Sequence, residues 1–183
     1  MPVELEAKEE IKIPENVSVE KHNDEIKVSG ENGEVVKTFS HPSIIFEVED
    51  ERVILRVDRP SKKEKALLGT YSSHVENMIK GAQEDFVYKL KILYSHFPME
   101  VTAEQDKVVI KNFVGENKPR DAEVIGSTEA EVDGNQITVR GPDKEAVAQT
   151  AANIESTTKI SKSDPRVFQD GIYITEKAGK PLS

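Results

Sequence analysis

The residues of this 183-residue chain best placed to do chemistry are the bases near its C-terminal end. Lys159, Lys162 and Arg166 fall within eight positions, and Lys177 and Lys180 follow. Ser156, Thr157, Thr158, Ser161, Ser163 and Gln169 lie among them. Lys and Arg neutralise phosphates, while hydroxyl and amide donors fix the register of a nucleic-acid backbone. Asp164-Pro165 marks an irregular loop in the same stretch. Lys118 and Arg120, just after Gly115, form a second, smaller basic spot. From residue types alone, a solvated loop and tail account for the main set as well as a binding surface does.

Other chemistry finds little support. His22, His41, His74 and His96 are scattered, with no two at metal-ligand spacing on one element. Neither a metal centre nor a catalytic histidine is expected. Ser73 and His74 are adjacent, but neighbours on a helix point apart. Glu49-Asp50-Glu51 and the pair Glu129 and Glu131 read as solvated faces beside turns. Gly30-Glu-Asn-Gly33 has the GxxG form of a KH-type RNA clamp. Its centre is acidic and polar and no helix follows, so a hairpin turn is the better reading. No nucleophile elbow, Walker loop or dinucleotide fingerprint occurs. The chain reads as no enzyme, and no cofactor is expected.

The formal net charge of −9 argues against nucleic acid, but its distribution softens the conflict. Residues 1–60 carry 15 acids and 8 bases, whereas residues 61–82 carry 2 acids and 4 bases and residues 156–183 carry 3 acids and 5 bases. Screening confines each patch to about 8 Å at physiological salt, so a basic patch can act beside an acidic surface. Hydrophobic content is 36% and no apolar run reaches a membrane-spanning length, so no membrane partner is expected. The N-terminus lacks the basic-then-apolar pattern of a secretory signal. The absence of cysteine rules out disulfides and thiolate chemistry and fits a reducing cytoplasm.

The elements that must position these residues come in two sets. Val53-Ile-Leu-Arg56 recurs 84 positions on as Ile137-Thr-Val-Arg140, and Gly30-Glu-Asn32 recurs 85 on as Gly115-Glu-Asn117. Each half runs from short strands through a proline (Pro60, Pro142) to one amphipathic helix and an aromatic-bearing return strand. In the first half, strands are expected at 11–14, 17–19, 26–28, 35–39, 44–48 and 53–57. A helix with a Ser61-Lys-Lys-Glu64 capping box follows and ends at Gly81. Asp85 to Tyr94 alternates apolar residues and is expected to close the first domain and lead into the second. In the second half, strands at 99–103, 108–113, 122–125, 129–132 and 136–140 precede a helix capped by Asp143. Its apolar face is Ala146, Val147, Thr150, Ala151 and Ile154, and extended chain returns from Phe168. The fold class is therefore α+β: two tandem duplicated domains, each a mostly antiparallel sheet packed with one main helix. The expected domains are residues 1–85, the more acidic, and residues 86–183, with the basic C-terminal segment.

Several segments also resemble a known family. Gly141-Pro142-Asp143, Gln149-Thr-Ala-Ala-Asn-Ile154 and Val167-Phe-Gln-Asp-Gly-Ile-Tyr173 are similar to the C-terminal third of universal protein six of the large ribosomal subunit, in its archaeal and eukaryotic form. Ser73-His-Val-Glu-Asn-Met-Ile-Lys-Gly81, Tyr94-Ser-His-Phe-Pro98 and Asn112-Phe-Val-Gly-Glu-Asn117 resemble the same family, in the family's order. The resemblance covers roughly residues 10 to 175. It implies a cytoplasmic, ribosome-associated structural constituent whose second domain binds large-subunit rRNA near the elongation-factor-binding region. Neighbouring ribosomal proteins would be further partners, and elongation factors would act nearby. On that reading Lys118, Arg120, Lys159, Lys162, Arg166, Gln169 and Lys177 are the candidate RNA contacts. The alternative, which the net charge suits, is an acidic two-domain protein-interaction module without RNA binding.

Overall fold

The computed structural model describes residues 6–161, 164 and 166–182. They fall into two compact units that divide between Asp85 and Phe86. In the first, β1 (Glu6–Lys12), β5 (Ile45–Val48) and β6 (Arg52–Asp58) form a three-stranded antiparallel sheet in the order β1-β6-β5. A meander of β2 (Ser18–His22), β3 (Glu25–Gly30) and β4 (Gly33–Thr38) forms a second sheet. Helix α1 (Lys62–Gln83) packs against both, touching β1, β3, β4 and β6. Val28, Val53, Leu55, Val57, Val75 and Met78 form the centre of the core between them.

The second unit repeats this plan. β11 (Glu129–Asp133), β12 (Gln136–Gly141) and β7 (Phe86–Leu93) stand where β5, β6 and β1 stand in the first. The pair Ile45–Arg56 becomes Glu129–Arg140, a displacement of 84 residues on both strands. β8 (Glu100–Ala103), β9 (Lys107–Lys111) and β10 (Arg120–Glu123) form the meander, and α2 (Lys144–Thr157) packs on β10, β7 and β12. The unit then adds β13 (Gly171–Lys177) on the far side of β7 and the short β14 (Lys180–Pro181) beyond it. The architecture is α+β, duplicated, with antiparallel pairing throughout the described sheets.

Three local expectations are corrected. The strand at 86–93 does not close the first domain. It is the middle strand of the second sheet, paired with β12 on one side and β13 on the other, and Phe86, Tyr88, Leu90 and Ile92 bury in the second core. Alternation shows that one face of a strand is buried but not which sheet buries it. Among the described residues, the first unit therefore has no return strand of its own, and β1 is left as an edge. Its Lys8, Glu9, Glu10 and Lys12 give it the charged character that suits an unpaired edge. Those charges also hid its first half, since Glu6 to Glu10 does not alternate; pairing with β6 makes it strand.

The third correction is at Gly81, which lies inside α1 rather than ending it; the helix runs on to Gln83. Its last turn is held by the β3–β4 hairpin. The Asn32 backbone N–H donates to the Ala82 carbonyl (3.0 Å), and Asn32 Nδ2 donates to the Gly81 carbonyl (3.0 Å) and to Asp85 Oδ1 (2.7 Å). These bonds satisfy carbonyls that a helix end leaves without partners. Gly30 permits the approach, because a Cβ there would lie 2.3 Å from the Ala82 oxygen. The Gly30-Glu-Asn-Gly33 segment is thus a hairpin turn that grips the helix end.

Candidate nucleic-acid interface

The C-terminal end of α2 is built by cross-links from three directions. Asp143 caps its start by accepting from the Glu145 N–H (3.0 Å), and Ala146, Val147, Thr150, Ala151 and Ile154 are buried as their spacing predicts. Thr150 Oγ1 accepts from the Ile125 N–H (3.0 Å), which allows a hydroxyl at a fully buried site. At the far end, Thr158 Oγ1 accepts from the Ile172 N–H (2.9 Å) and Glu155 Oε1 accepts from the Ile174 N–H (3.0 Å). The helix end is thereby fastened to β13.

Arg120 completes this anchorage from the meander. Its Nη1 donates to the carbonyl of Thr157, the last residue of α2 (2.7 Å). Nε and Nη2 donate to the two oxygens of Glu116 (2.9 and 2.7 Å), and the guanidinium lies 4.5 Å from the centroid of Phe113. A cation at a helix C-terminus also complements the helix dipole. Arg120, the first residue of β10 after the β9–β10 connection, thus does for α2 what Asn32, in the β3–β4 turn, does for α1. The connection is fixed further by Asn112 Nδ2 donating to the Pro98 carbonyl (2.9 Å) and by the Phe97 ring against Gly115. Ser95 Oγ donates to the buried Asp170 Oδ1 (3.0 Å), which ties the 94–98 segment to the start of β13. The motif around 95–98 therefore touches both the 112–117 and the 167–173 motifs.

The candidate RNA contacts fall around this helix end in unequal ways. Lys159 follows the cap residue Thr158 and is exposed. The Arg166 side chain is 89% exposed, yet it is paired: Nε and Nη2 donate to Asp164 at 3.2 and 3.0 Å. That guanidinium, with the Arg166 backbone N–H, lowers the pKa of Asp164. Gln169 is exposed, and its carbonyl accepts from the Tyr173 hydroxyl (3.0 Å). Lys118 is exposed on the connection that Arg120 ties to α2. Lys177 is exposed on β13, about 13 Å along the strand from Tyr173. Lys162 lies outside the described residues, as does Ser163. Of the hydroxyls expected as backbone donors, Ser156 and Ser161 are exposed, while Thr158 is buried and committed to Glu155 and Ile172.

Sequence reasoning missed two groups. Glu155 gives no signal as a β13 partner, because the bond is set by tertiary structure. Phe168 and Tyr173 sit inside a family-like segment that assigns them no role, and they are 44% and 42% exposed. Both line a cavity of about 430 Å³ with Glu155, Ser156, Lys159 and Ile160. Among the described residues, no group of three His, Cys, Asp or Glu could hold a metal, and no helix is long and apolar enough to cross a membrane.

Comparison with known proteins agrees with this layout. The family model described as Ribosomal protein L6 matches residues 13–85 and 97–171, one segment in each unit. A large ribosomal subunit protein uL6 from Methanococcus vannielii is 48% identical over 182 residues, covering 100% of both chains. The uL6 protein of Haloarcula marismortui is 46% identical over 93% of this chain and 96% of its own. That of Methanosarcina mazei is 49% identical over 92% and 96%.

Proposed function

The chain belongs to the ribosomal protein L6 family, in its archaeal type, and on that premise we propose that its second unit binds and braces large-subunit rRNA near the elongation-factor-binding region. It is a structural constituent of the large ribosomal subunit, ribosome-associated in the cytoplasm, with rRNA and neighbouring subunit proteins as its partners. The factor-proximal placement rests on the family resemblance. Elongation factors would then be affected only indirectly.

The observation that carries the RNA reading is the exposed cationic rim at the end of α2. Lys159 and Arg166 stand free of the core there, and the connection bearing Lys118 is tied to the same helix end. Lys162, Gln169 and Lys177 complete the proposed contact set. Arg120 supports the surface by holding the helix end. Phosphate contacts of this kind fix position without reading sequence. The test is the triple variant Lys159→Ala, Lys162→Ala, Arg166→Ala. Unchanged thermal unfolding with weaker incorporation into large subunits is expected. Each lost phosphate contact should flatten the salt slope of rRNA binding by about one unit or slightly less. Undiminished incorporation and RNA affinity would refute the assignment. Salt-independent association with subunits would instead favour the acidic protein-interaction module, which the 15 acids and 8 bases of residues 1–60 suit.

A further inference from the structure

We infer that Phe168 and Tyr173 form a stacking platform for one unpaired nucleobase, whose phosphate lies against Lys159. The inference rests on the reading that the second unit binds large-subunit rRNA, and it adds the mode of contact. The platform is set in advance of any ligand. Tyr173 Oη donates to the Gln169 carbonyl at 3.0 Å, and the ring folds back over Gly171. A Cβ on Gly171 would meet Oη at 3.3 Å and Cε2 at 3.4 Å, so glycine lets the ring lie flat on the chain. One face of the ring is held and the residue stays 42% exposed. The Phe168 backbone N–H donates to the Asp164 carbonyl (3.0 Å).

Two exposed aromatics lining one cavity of about 430 Å³ are unusual on a solvated surface. Lys159 and Ser156 line the same cavity, which puts a cation and a hydroxyl in the same opening as the two rings. Aromatic faces next to a backbone-tracking cation are how proteins hold unstacked bases. Glu155 also lines the cavity, but its Oε1 is committed to the Ile174 N–H (3.0 Å). An apolar side chain of a neighbouring protein would use the aromatics while offering Lys159 no anion. Charge complementarity therefore favours the nucleotide.

The test uses the full chain and purified large-subunit rRNA over a salt series, with thermal unfolding as the folding control. The double variant Phe168→Leu, Tyr173→Leu keeps apolar bulk and loses the π faces. It should bind about ten-fold more weakly with an unchanged salt slope. Phe168→Tyr, which keeps both rings and the Tyr173 hydroxyl bond, should bind as the parent does. Lys159→Ala should flatten the slope. If the double-leucine variant binds normally while Lys159→Ala flattens the slope, the platform is wrong and the RNA reading stands. If rRNA binding is insensitive to all of these changes and to salt, the RNA reading fails and takes the platform with it. If Phe168→Asp impairs incorporation into subunits while the leucine variant incorporates and binds rRNA normally, the cavity receives an apolar protein side chain and the inference falls.

Discussion

At the scale of single residues, charge alone does not assign a role. Lys118 and Arg120 form one basic spot in the sequence, but Arg120 is committed to Glu116, Thr157 and Phe113, while Lys118 is exposed. Arg120→Ala should lower stability by about 1–2 kcal/mol, through the loss of a charge-assisted bond at the helix end. Lys118→Ala should leave denaturant unfolding unchanged. Equal effects in the two variants would show that Arg120 does not hold α2. Glu64 offers a pH test of the other helix start. Its carboxylate accepts from the Ser61 N–H (2.8 Å), and that backbone bond is the main reason its pKa falls to about 2. A depressed acid stabilises the fold above its unfolded pKa of about 4.3, and that stability is lost as pH falls toward the folded value. Glu64→Gln keeps the acceptor but cannot titrate. The stability difference between parent and variant should stay flat from about pH 7 to 5 and shrink from about pH 4.5 to 2. A difference that ignores acid would remove the carboxylate from the cap.

At the scale of elements, local rules were legible and partners were not. The α1 capping box, the Asp143 cap and the buried face of α2 follow from spacing and side-chain chemistry. Where β7 pairs, and that Asn32 grips α1, depend on contacts far apart in sequence. Packing gives measurable consequences. Val75 is fully buried, so Val75→Ala should cost roughly 1–3 kcal/mol. Ala151→Leu should disrupt the second unit, since that site is fully buried against the sheet. Gly30→Ala should be destabilising as well, because the obstruction at 2.3 Å is backbone oxygen and not a movable side-chain tip. Gly69, within α1, faces open space, with nothing within 4 Å of where a methyl group would sit. Gly69→Ala should therefore stabilise by about 0.5–1 kcal/mol. Thermal unfolding of these four variants checks the signs, and a stable Gly30→Ala protein would mean the hairpin does not clamp the helix.

At the scale of the molecule, the duplication was readable from the 84-residue period, but its asymmetry was not. The second unit carries β13 beside β7, while the matching edge of β1 is left to charged residues. A fragment ending at Asp85 should therefore unfold cooperatively, and extending it to Leu93 should add no stability. A clear gain on extension, seen in circular-dichroism melts, would return β7 to the first unit. The candidate surface was only partly legible for the same reason: its bases are local in sequence, but the helix end that gathers them is fixed by Arg120, Thr158 and Glu155. The position of β7 also sets an order in time. The first unit has all its described strands once Asp85 is made. The second has its middle strand at the start and that strand's neighbour, β13, some eighty residues later, so its sheet must wait with an open edge. At about 5–20 residues per second, synthesis leaves that edge exposed for roughly 4–16 s. During translation, the interval most vulnerable to misassociation would fall while the second unit is being made, after the first has already folded.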